Sequence, residues 1–350
     1  MFETLETPAV LIDLDVAEAN IDRFQAHCDQ HGLKLRPHIK THKLPFLAKR
    51  QLAAGAAGIT CQKISEAEAM ISEGGIDDIL ITYNILGVEK LARLRALSGR
   101  VRLTVVADNG TVARGLSSAF ADAPAPLSVL VECDTGAGRC GVSSPADAAD
   151  LAGLIADLPG LRFAGLMTYP PAGREAEVQN WLSEAKALIE ARGLVVEVVS
   201  SGGTPGMWRA QDAPVATEYR IGTYIYNDRS LQARGVCGWE DCALTVLATV
   251  VSVPAPDRAV IDAGSKVLTS DLLGLEGYGH VLGRPDIRIE SLSEEHGVLK
   301  ADRIGLKVGE RVRIVPNHAC VVSNMLDRVE LVRGLRHEAC APVAARGQVW

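Results

Sequence analysis

Short apolar runs and amphipathic segments alternate along the first two thirds of the chain. Eight runs rich in β-branched and apolar residues are predicted to be strands, at residues 34–39, 58–60, 78–82, 101–107, 128–133, 163–169, 195–200 and 219–225. Apolar residues recur at helical spacing between them, as in residues 44–54, 64–73, 88–97, 145–158 and 175–191. Strands that alternate with helices predict a parallel sheet, and eight such units favour a (β/α)8 TIM-type barrel over a doubly wound sheet.

The pattern changes after about Arg234. Residues 242–270 are typical of a strand, a turn at Pro254–Asp257 and a second strand. The later runs GERVRIVPNHACVVS and DRVELVRG are also typical of strands, and no long amphipathic helix is predicted there. We therefore expect an α/β plus β architecture, in which a C-terminal all-β domain follows the barrel.

The predicted domains are a barrel over residues 14–233 and a β domain that combines residues 1–13 with 234–350. The N-terminal run PAVLIDLD, at residues 8–15, precedes the barrel pattern. It is available to pair with the strands of the β domain, and this is why we assign it there.

Charge and cysteine usage narrow the possible functions. The 350 residues carry a formal net charge of −7, which argues against a nucleic-acid or membrane surface that depends on bulk positive charge. No apolar run approaches the length of a membrane span, and the N-terminus lacks the basic region of a signal peptide. The eight cysteines are scattered without a CxxC pair. These features predict a reduced, cytoplasmic protein.

A local basic cluster interrupts this acidic background. The stretch LRPHIKTHK, at residues 35–43, contains five basic residues, namely Arg36, His38, Lys40, His42 and Lys43. Lys40 is expected at the C-terminal end of the first barrel strand, where the active sites of such barrels lie. A lysine there can act as a nucleophile toward an aldehyde and form a Schiff base. The alternative is a solvated basic loop.

Two segments near the end of the barrel pattern are candidate phosphate-binding loops. SSGGTPG, at residues 200–206, follows the seventh predicted strand, and its glycines let backbone N–H groups approach an anion closely. Gly222, Thr223 and Tyr224 follow in the GTYIYND segment. The loops after strands 7 and 8 are the usual phosphate site of this fold, although a tight turn is the alternative.

Two further motifs carry candidate ligands. ECDTGAGRCGV, at residues 132–142, places Arg139 in a glycine-rich loop after the fifth strand, either pointing into the barrel mouth or lying on the surface. In PNHAC, His318 and Cys320 are two residues apart and would share one face of a strand. Imidazole and thiolate suit a divalent metal, above all zinc. The run Glu294–His296 offers further ligands or a base, or forms a solvated turn.

The order of these features resembles the D-threonine aldolase and D-serine dehydratase family, which shares the alanine racemase type (fold type III) of pyridoxal-phosphate fold. The resemblance covers nearly the whole chain, from TPAVLIDLD at 7–15 through ITCQKISEAEAM at 59–70 to PNHACVVSN at 316–324. RPHIKTHK and PNHAC are its most diagnostic parts.

The resemblance implies roles for the candidate residues. Lys40 would form the Schiff-base link with pyridoxal 5′-phosphate, with Arg36 and His38 holding the strand end. The phosphate would be bound by Ser201, Gly202, Gly203, Gly222 and Thr223. Tyr169, Arg139 and Gln62 would lie near the cofactor ring. His318 and Cys320 would hold a divalent cation (Zn, Mn or Mg) close to the substrate β-hydroxyl. His42, Lys43, Glu295 and His296 have no assigned role.

The implied reaction is the metal-dependent cleavage of a D-3-hydroxy amino acid to glycine and an aldehyde, by a homodimeric D-threonine aldolase. The alternative is a D-serine or D-3-hydroxyaspartate dehydratase, which releases a keto acid and ammonia. Cys320 favours the dehydratase and a softer ion, because some aldolases of the family carry an aspartate there. The run PNHACVVSN and the compact chain favour the aldolase.

Two other classes are open. An amino-acid racemase needs a second base, and Tyr278 is the only tyrosine after residue 226. Such an enzyme has no use for the His318 and Cys320 pair. A non-catalytic pyridoxal-phosphate carrier is usually a barrel alone, and the predicted β domain argues against it.

Overall fold

A computed structural model describes residues 2–350. It divides into two compact units. The barrel unit consists of Phe24–Lys40, Pro45–Gly222 and Gln348–Trp350. The β unit consists of Met1–Arg23, Thr41–Leu44 and Thr223–Gly347.

The strands and helices are numbered in chain order. The strands are β1 (Ala9–Asp13), β2 (Lys34–Leu35), β3 (Ile59–Cys61), β4 (Asp78–Ile81), β5 (Arg102–Ala107), β6 (Leu127–Cys133), β7 (Leu161–Thr168), β8 (Val198–Ser201), β9 (Glu218–Tyr219), β10 (Leu244–Ala255), β11 (Arg258–Ile261), β12 (His280–Val281), β13 (Arg288–Leu292), β14 (Gly297–Lys300), β15 (Arg311–Val315), β16 (Arg328–Arg333) and β17 (Arg336–Pro342). The α-helices are α1 (Leu14–Gln30), α2 (Pro45–Ala53), α3 (Ile64–Met70), α4 (Val88–Ser98), α5 (Gly110–Phe120), α6 (Pro145–Asp157), α7 (Glu175–Glu190), α8 (Arg229–Ala233), α9 (Ser265–Leu268) and α10 (Ala319–Met325). Short 3-10 helices occupy Ile39–Thr41, Thr204–Asp212, Thr223–Ile225 and Trp239–Asp241.

Eight parallel strands form the sheet of the barrel unit, in the order β2, β9, β8, β7, β6, β5, β4, β3. A parallel bridge between His38 and Thr60 joins the two ends of this order, so the sheet closes on itself. The predicted (β/α)8 architecture is confirmed. Each of the eight predicted runs overlaps an observed strand, although β9 is only two residues long.

The barrel strands are apolar on both faces, and this explains their continuous hydrophobic runs. In β4, Ile79 and Ile81 belong to the larger core cluster, which also contains residues of the surrounding helices. Leu80 points the other way and packs with Val106 and Leu130 in a second, inner cluster. Fully burying one such side chain contributes roughly 1.5–3 kcal/mol, so both layers stabilise the strands.

A nine-stranded sheet forms the β unit. The strands β10, β15, β12, β13, β14 and β11 pair in sequence, and β11 pairs back to β10, which closes a ring of six. β1 lies against this ring, antiparallel to β10 and parallel to β16. The N-terminal run therefore pairs with C-terminal strands, as its position before the barrel pattern suggested.

The predicted strand at GERVRIVPNHACVVS is wrong in its second half. Strand β15 ends at Val315, and residues Ala319–Met325 form helix α10. Pro316 has no N–H to continue a ladder, and His318 caps the helix in an extended conformation. The carboxylate of Asp228 then accepts the backbone N–H of Ala319 over 3.0 Å, which satisfies one donor of the helix N-terminus.

Across residues 2–350, no helix is both long enough and apolar enough to cross a membrane.

Candidate active site

Lys40 lies in a one-turn 3-10 helix, Ile39–Thr41, shortly after β2. Its backbone N–H donates to Nδ1 of His38 over 3.3 Å, and Nε2 of His38 lies 3.2 Å from Oε1 of Gln62. The N–H of His38 donates to the carbonyl of Ile221 over 2.7 Å. His38 therefore connects the turn that carries Lys40 with the side chain of Gln62. Lys40 and Gln62 are both predicted cofactor-binding residues.

Arg36 is paired with carboxylates of the barrel unit itself. Its Nε lies 2.6 Å from Glu218, and its Nη1 lies 2.7 Å from Asp78. All three side chains are largely buried. The guanidinium therefore anchors the strand end and is already paired with these two carboxylates.

His42 and Lys43 are buried in the β unit, where their contacts are structural. The ammonium of Lys43 donates to Oδ1 of Asn324 over 2.7 Å, and Nδ1 of His42 accepts the N–H of Leu44 over 3.1 Å. Lys43 also adopts a positive φ of 53°, which bends the chain after the lysine-bearing turn. These contacts account for two basic residues that the sequence left without a role.

The SSGGTPG segment begins at the end of β8, the seventh strand of the barrel in chain order, and packs closely against Arg220. The N–H of Arg220 donates to the carbonyl of Ser201 over 2.7 Å. Gly202 has a φ of 132°, and a Cβ there would lie 2.5 Å from the carbonyl oxygen of Arg220. A Cβ on Gly203 would lie 3.1 Å from the ring of Tyr169. This crowding requires glycine at 202 and leaves a bare backbone of the kind that approaches anions.

Arg139 and Tyr169 come together in the barrel unit. The guanidinium carbon of Arg139 lies 4.7 Å from the centre of the Tyr169 ring, a cation–π arrangement. The loop that carries Arg139 is held by Asp134, whose carboxylate accepts the N–H groups of Gly136 and Gly138. Tyr169 is 40% exposed, so one part of its ring remains available for a ligand.

Two buried charged residues of the barrel unit were missed by the sequence analysis. Arg220 donates to Oγ of Ser200 and to the carbonyl of Thr168, both over 2.7 Å. Burial lowers the pKa of Arg220 to about 10, against the opposing effect of nearby carboxylates. Burial raises the pKa of Glu132 to about 7, although Arg139 opposes the shift. Arg220 and Glu132 both lie at the C-terminal ends of barrel strands, and this position could have indicated them as site residues from the sequence.

His318 and Cys320 contact each other even though they do not lie on a strand. His318 is the N-cap of α10, and Cys320 is its second residue. Burial lowers the pKa of His318, but the hydrogen bond and the charge of Cys320, followed by the hydrogen bond to Asp271, raise it to about 9. The two candidate metal ligands are therefore adjacent through a helix start, rather than through the alternation of a strand.

Two hydroxyl groups of the β unit contact the sulfur of Cys320. Oγ1 of Thr41 lies 3.0 Å from this sulfur, and Oγ1 of Thr223 lies 3.3 Å from it. The side chain of Thr223 is therefore engaged with the candidate metal ligand, which leaves its backbone for the predicted phosphate role. Tyr224 is fully buried beside it, and Gly222 is buried at the end of the barrel unit.

Asp271 supports the His318 and Cys320 pair and was not predicted. Its Oδ2 lies 2.7 Å from Nδ1 of His318. Within residues 2–350, however, no three His, Cys, Asp or Glu side chains are arranged as a complete metal site. An ion held by His318 and Cys320 alone would keep open positions for water and substrate, as a catalytic rather than a structural ion requires.

The run Glu294–His296 forms an exposed turn. Lys266 pairs with Glu294 over 2.9 Å and with Glu295 over 2.7 Å, and the N–H of Ser293 donates to the carbonyl of His296. Of the two roles considered for this run, the structure favours the solvated turn.

The residues present fit the implied cofactor and metal. The barrel unit supplies a lysine in a turn held by His38, a glycine backbone that a Cβ would obstruct, and Tyr169 with Arg139 over its ring. The β unit supplies an imidazole and a thiol in contact, a donor set that suits zinc.

Comparison with known proteins gives a consistent result. The family described as alanine racemase, N-terminal domain, matches residues 12–230, and a putative serine dehydratase domain matches residues 243–332. The D-threonine aldolase of Arthrobacter sp is 36% identical over 98% of this chain and 93% of its own length. The D-threo-3-hydroxyaspartate dehydratase of Delftia sp. is 33% identical over 91% of each chain.

A solved structure is similar over the same extent. The crystal structure of D-threonine aldolase from Filomicrobium marinum has a TM-score of 0.92 at 35% identity, covering 99% of this chain and 97% of that one. These matches extend over both units, and each relative is named as an aldolase or a dehydratase. The chain therefore belongs to the D-threonine aldolase and D-serine dehydratase family of lyases, with the alanine racemase-like fold.

Proposed function

We propose that the chain is a D-threonine aldolase that depends on pyridoxal 5′-phosphate and a divalent metal, and that cleaves D-3-hydroxy amino acids to glycine and an aldehyde. The observation that carries this proposal is the contact between His318 and Cys320 at the start of α10. It is supported by full-length similarity to D-threonine aldolases. A racemase or a simple cofactor carrier needs no such ligand pair.

The binding residues are proposed as follows. Lys40 holds the cofactor covalently, and Gln62, Tyr169 and Arg139 lie near its ring. Its phosphate is bound by Ser201, Gly202, Gly203, Gly222 and Thr223. His318 and Cys320 hold the ion. When bound, the cofactor supplies an electron sink for the substrate α-carbon, and the ion supplies positive charge near the β-hydroxyl.

The remaining chemistry concerns the substrate and the protein. Lys40 would hold the cofactor before substrate binds, and its amine, once released, would be free to accept or return a proton. The β-hydroxyl loses its proton and the Cα–Cβ bond breaks. The β-carbon leaves as an aldehyde, and the α-carbon gains a proton to give glycine.

A second candidate is the dehydratase, which instead breaks the Cβ–O bond and yields a keto acid and ammonia. It is favoured by Cys320, a softer ligand than the aspartate of some aldolases, and by the similarity to the Delftia dehydratase. A racemase would instead need a base such as Tyr278, whose backbone N–H donates to the carbonyl of Ile289 over 3.2 Å.

Stereochemistry and metal dependence test the proposal. Cofactor-loaded protein is given D-threonine or L-threonine before and after chelation, and the double variant His318→Ala/Cys320→Ala is compared with it. We expect the protein to consume only D-threonine and to lose this activity on chelation. The double variant should be inactive but keep the cofactor absorbance. Conversion between the isomers that survives chelation and the double substitution would identify a racemase.

The expected homodimer and the cytoplasmic location stay predictions. Light scattering on the purified protein measures the first, and cell fractionation measures the second.

A further inference from the structure

Asp271 forms a short hydrogen bond with one of the two proposed metal ligands. Its Oδ2 lies 2.7 Å from Nδ1 of His318, and the two residues are 47 positions apart in the sequence. The side chain of His318 is 28% exposed and that of Asp271 is 45% exposed. The contact is therefore partly shielded from water, where a charge-assisted hydrogen bond keeps more of its strength.

The position of Asp271 is held by the residue that precedes His318. Nδ2 of Asn317 donates to the backbone carbonyl of Asp271 over 3.1 Å and to that of Gly277 over 2.9 Å. Oδ1 of Asn317 accepts from Arg229 over 3.0 Å, and Asn317 is only 1% exposed. The backbone and the carboxylate of Asp271 are thus both tied to the Asn317–His318 pair.

This arrangement determines which ring nitrogen is free. A carboxylate at Nδ1 accepts a hydrogen bond from that nitrogen, so the neutral imidazole carries its proton there and keeps its lone pair on Nε2. Metal-binding histidines commonly use such a carboxylate to fix the tautomer and the orientation of the ring. Asp271 also lies on the Nδ1 side of the ring, which separates it from the lone pair that would face an ion.

We propose that Asp271 is a positioning residue that holds His318 in the tautomer and orientation needed to bind a divalent ion. The proposal rests on the proposed function, in which His318 and Cys320 are the metal ligands. It assigns to Asp271 a role through His318, without contact to the ion or the substrate.

The test measures zinc affinity directly, on cofactor-loaded protein, by competition with a chromophoric chelator. Asp271→Ala removes the acceptor, and we expect the zinc Kd to rise about 10- to 100-fold, the usual effect of losing such a partner. Asp271→Asn keeps the shape but loses the charge, and we expect a rise of roughly 10-fold. The cofactor absorbance should be unchanged in both variants.

Two controls separate the possible failures. Asp286→Ala removes an exposed carboxylate of the β unit that pairs with Arg284, and should leave the zinc Kd unchanged. His318→Ala should abolish tight binding. If the wild type and His318→Ala bind zinc equally, the proposed metal site itself is wrong. If they differ but Asp271→Ala stays within about twofold of the wild type, the positioning role is overturned. Asp271→Leu, which also lacks a hydrogen-bond acceptor, gives the same test where the alanine variant is too unstable to purify.

Discussion

The hydroxyl of Thr41 lies 3.0 Å from the sulfur of Cys320, although 279 residues separate them in the chain. Thr41 directly follows Lys40, and both belong to the 3-10 turn Ile39–Thr41. The proposed cofactor lysine is therefore the immediate chain neighbour of a residue that contacts a proposed metal ligand. This contact within the β unit joins Thr41, near the end of the basic motif, to the PNHAC motif.

Replacing Thr41 tests whether that contact supports the metal. Thr41→Val removes the hydroxyl and keeps the shape, so we expect zinc to bind about 10-fold more weakly, while Thr41→Ser retains the affinity. Chelator competition provides the measurement. Thr111→Val, on the exposed start of α5, is the matched control. Equal zinc affinity in Thr41→Val and the wild type would show that the hydroxyl has no influence on the ligand.

Lys40 should be required for both cofactor attachment and turnover. Lys40→Ala removes the only amine proposed to hold the cofactor, so the visible absorbance of the lysine–cofactor link and the activity should both disappear. Lys34→Ala changes an exposed lysine of β2 and should preserve both. A Lys40→Ala protein that remains active would refute the mechanism.

Glu218 should contribute strongly to stability, because its carboxylate is buried between several donors. It accepts from Nε of Arg36 over 2.6 Å and from the hydroxyl of Ser200. Glu218→Ala leaves the buried guanidinium only partly paired, and we expect the free energy of unfolding to fall by about 3–5 kcal/mol. Urea denaturation measures this.

The control for Glu218 is an exposed ion pair of the same unit. Glu197 pairs with Arg162 over 2.6 Å, but both side chains are about half exposed. Glu197→Ala should therefore cost no more than about 1 kcal/mol. Similar losses in the two variants would mean that burial adds nothing at Glu218.

The carboxyl group of Glu132 should make the stability of the protein decrease as the pH rises. Burial raises the pKa of its carboxyl to about 7, with Arg139 opposing and Asp108 adding to the shift. An unfolded glutamate titrates near 4.3, so the folded state binds more protons between these values. The free energy of unfolding should then fall as the pH rises through about 4.3 to 7, by about 4 kcal/mol in total.

Substitution isolates this contribution. Glu132→Gln cannot titrate, so its unfolding free energy should change less than that of the wild type across this pH window, and the variant should gain relative stability toward pH 8. Glu197→Gln should follow the wild-type curve. Parallel curves for Glu132→Gln and the wild type would contradict a raised pKa at this position.

The barrel was predictable from sequence because strands buried on both faces leave continuous apolar runs, with amphipathic helices between them. Helix α10 could not be predicted from the sequence, because its start is determined by Pro316 and by Asp228, which lies about 90 positions before the helix. The run ACVV has the local composition of a strand, and tertiary contacts override it.

The residues of the candidate site also fall into two groups, those proposed from the sequence and those seen only in the folded structure. Lys40, Arg139 and the SSGGTPG loop were proposed because they follow predicted barrel strands, whereas Tyr169 was implied by the family resemblance. Asp271 and Thr41 contact the proposed metal ligands His318 and Cys320 through long-range packing, and nothing in their own stretch of sequence indicates these contacts. Arg36 was assigned a strand-end role by resemblance, yet its partners Asp78 and Glu218 become visible only in the folded sheet.

The reaction products show whether the enzyme breaks the Cα–Cβ bond or the Cβ–O bond of its substrate. Purified, cofactor-loaded protein is incubated with D-threonine, with and without added Zn²⁺ or Mn²⁺, and all four possible products are quantified. A D-threonine aldolase would produce glycine and acetaldehyde in equal amounts, and only when metal is present. The appearance of 2-oxobutyrate and ammonia in their place would contradict it and identify the chain as a dehydratase.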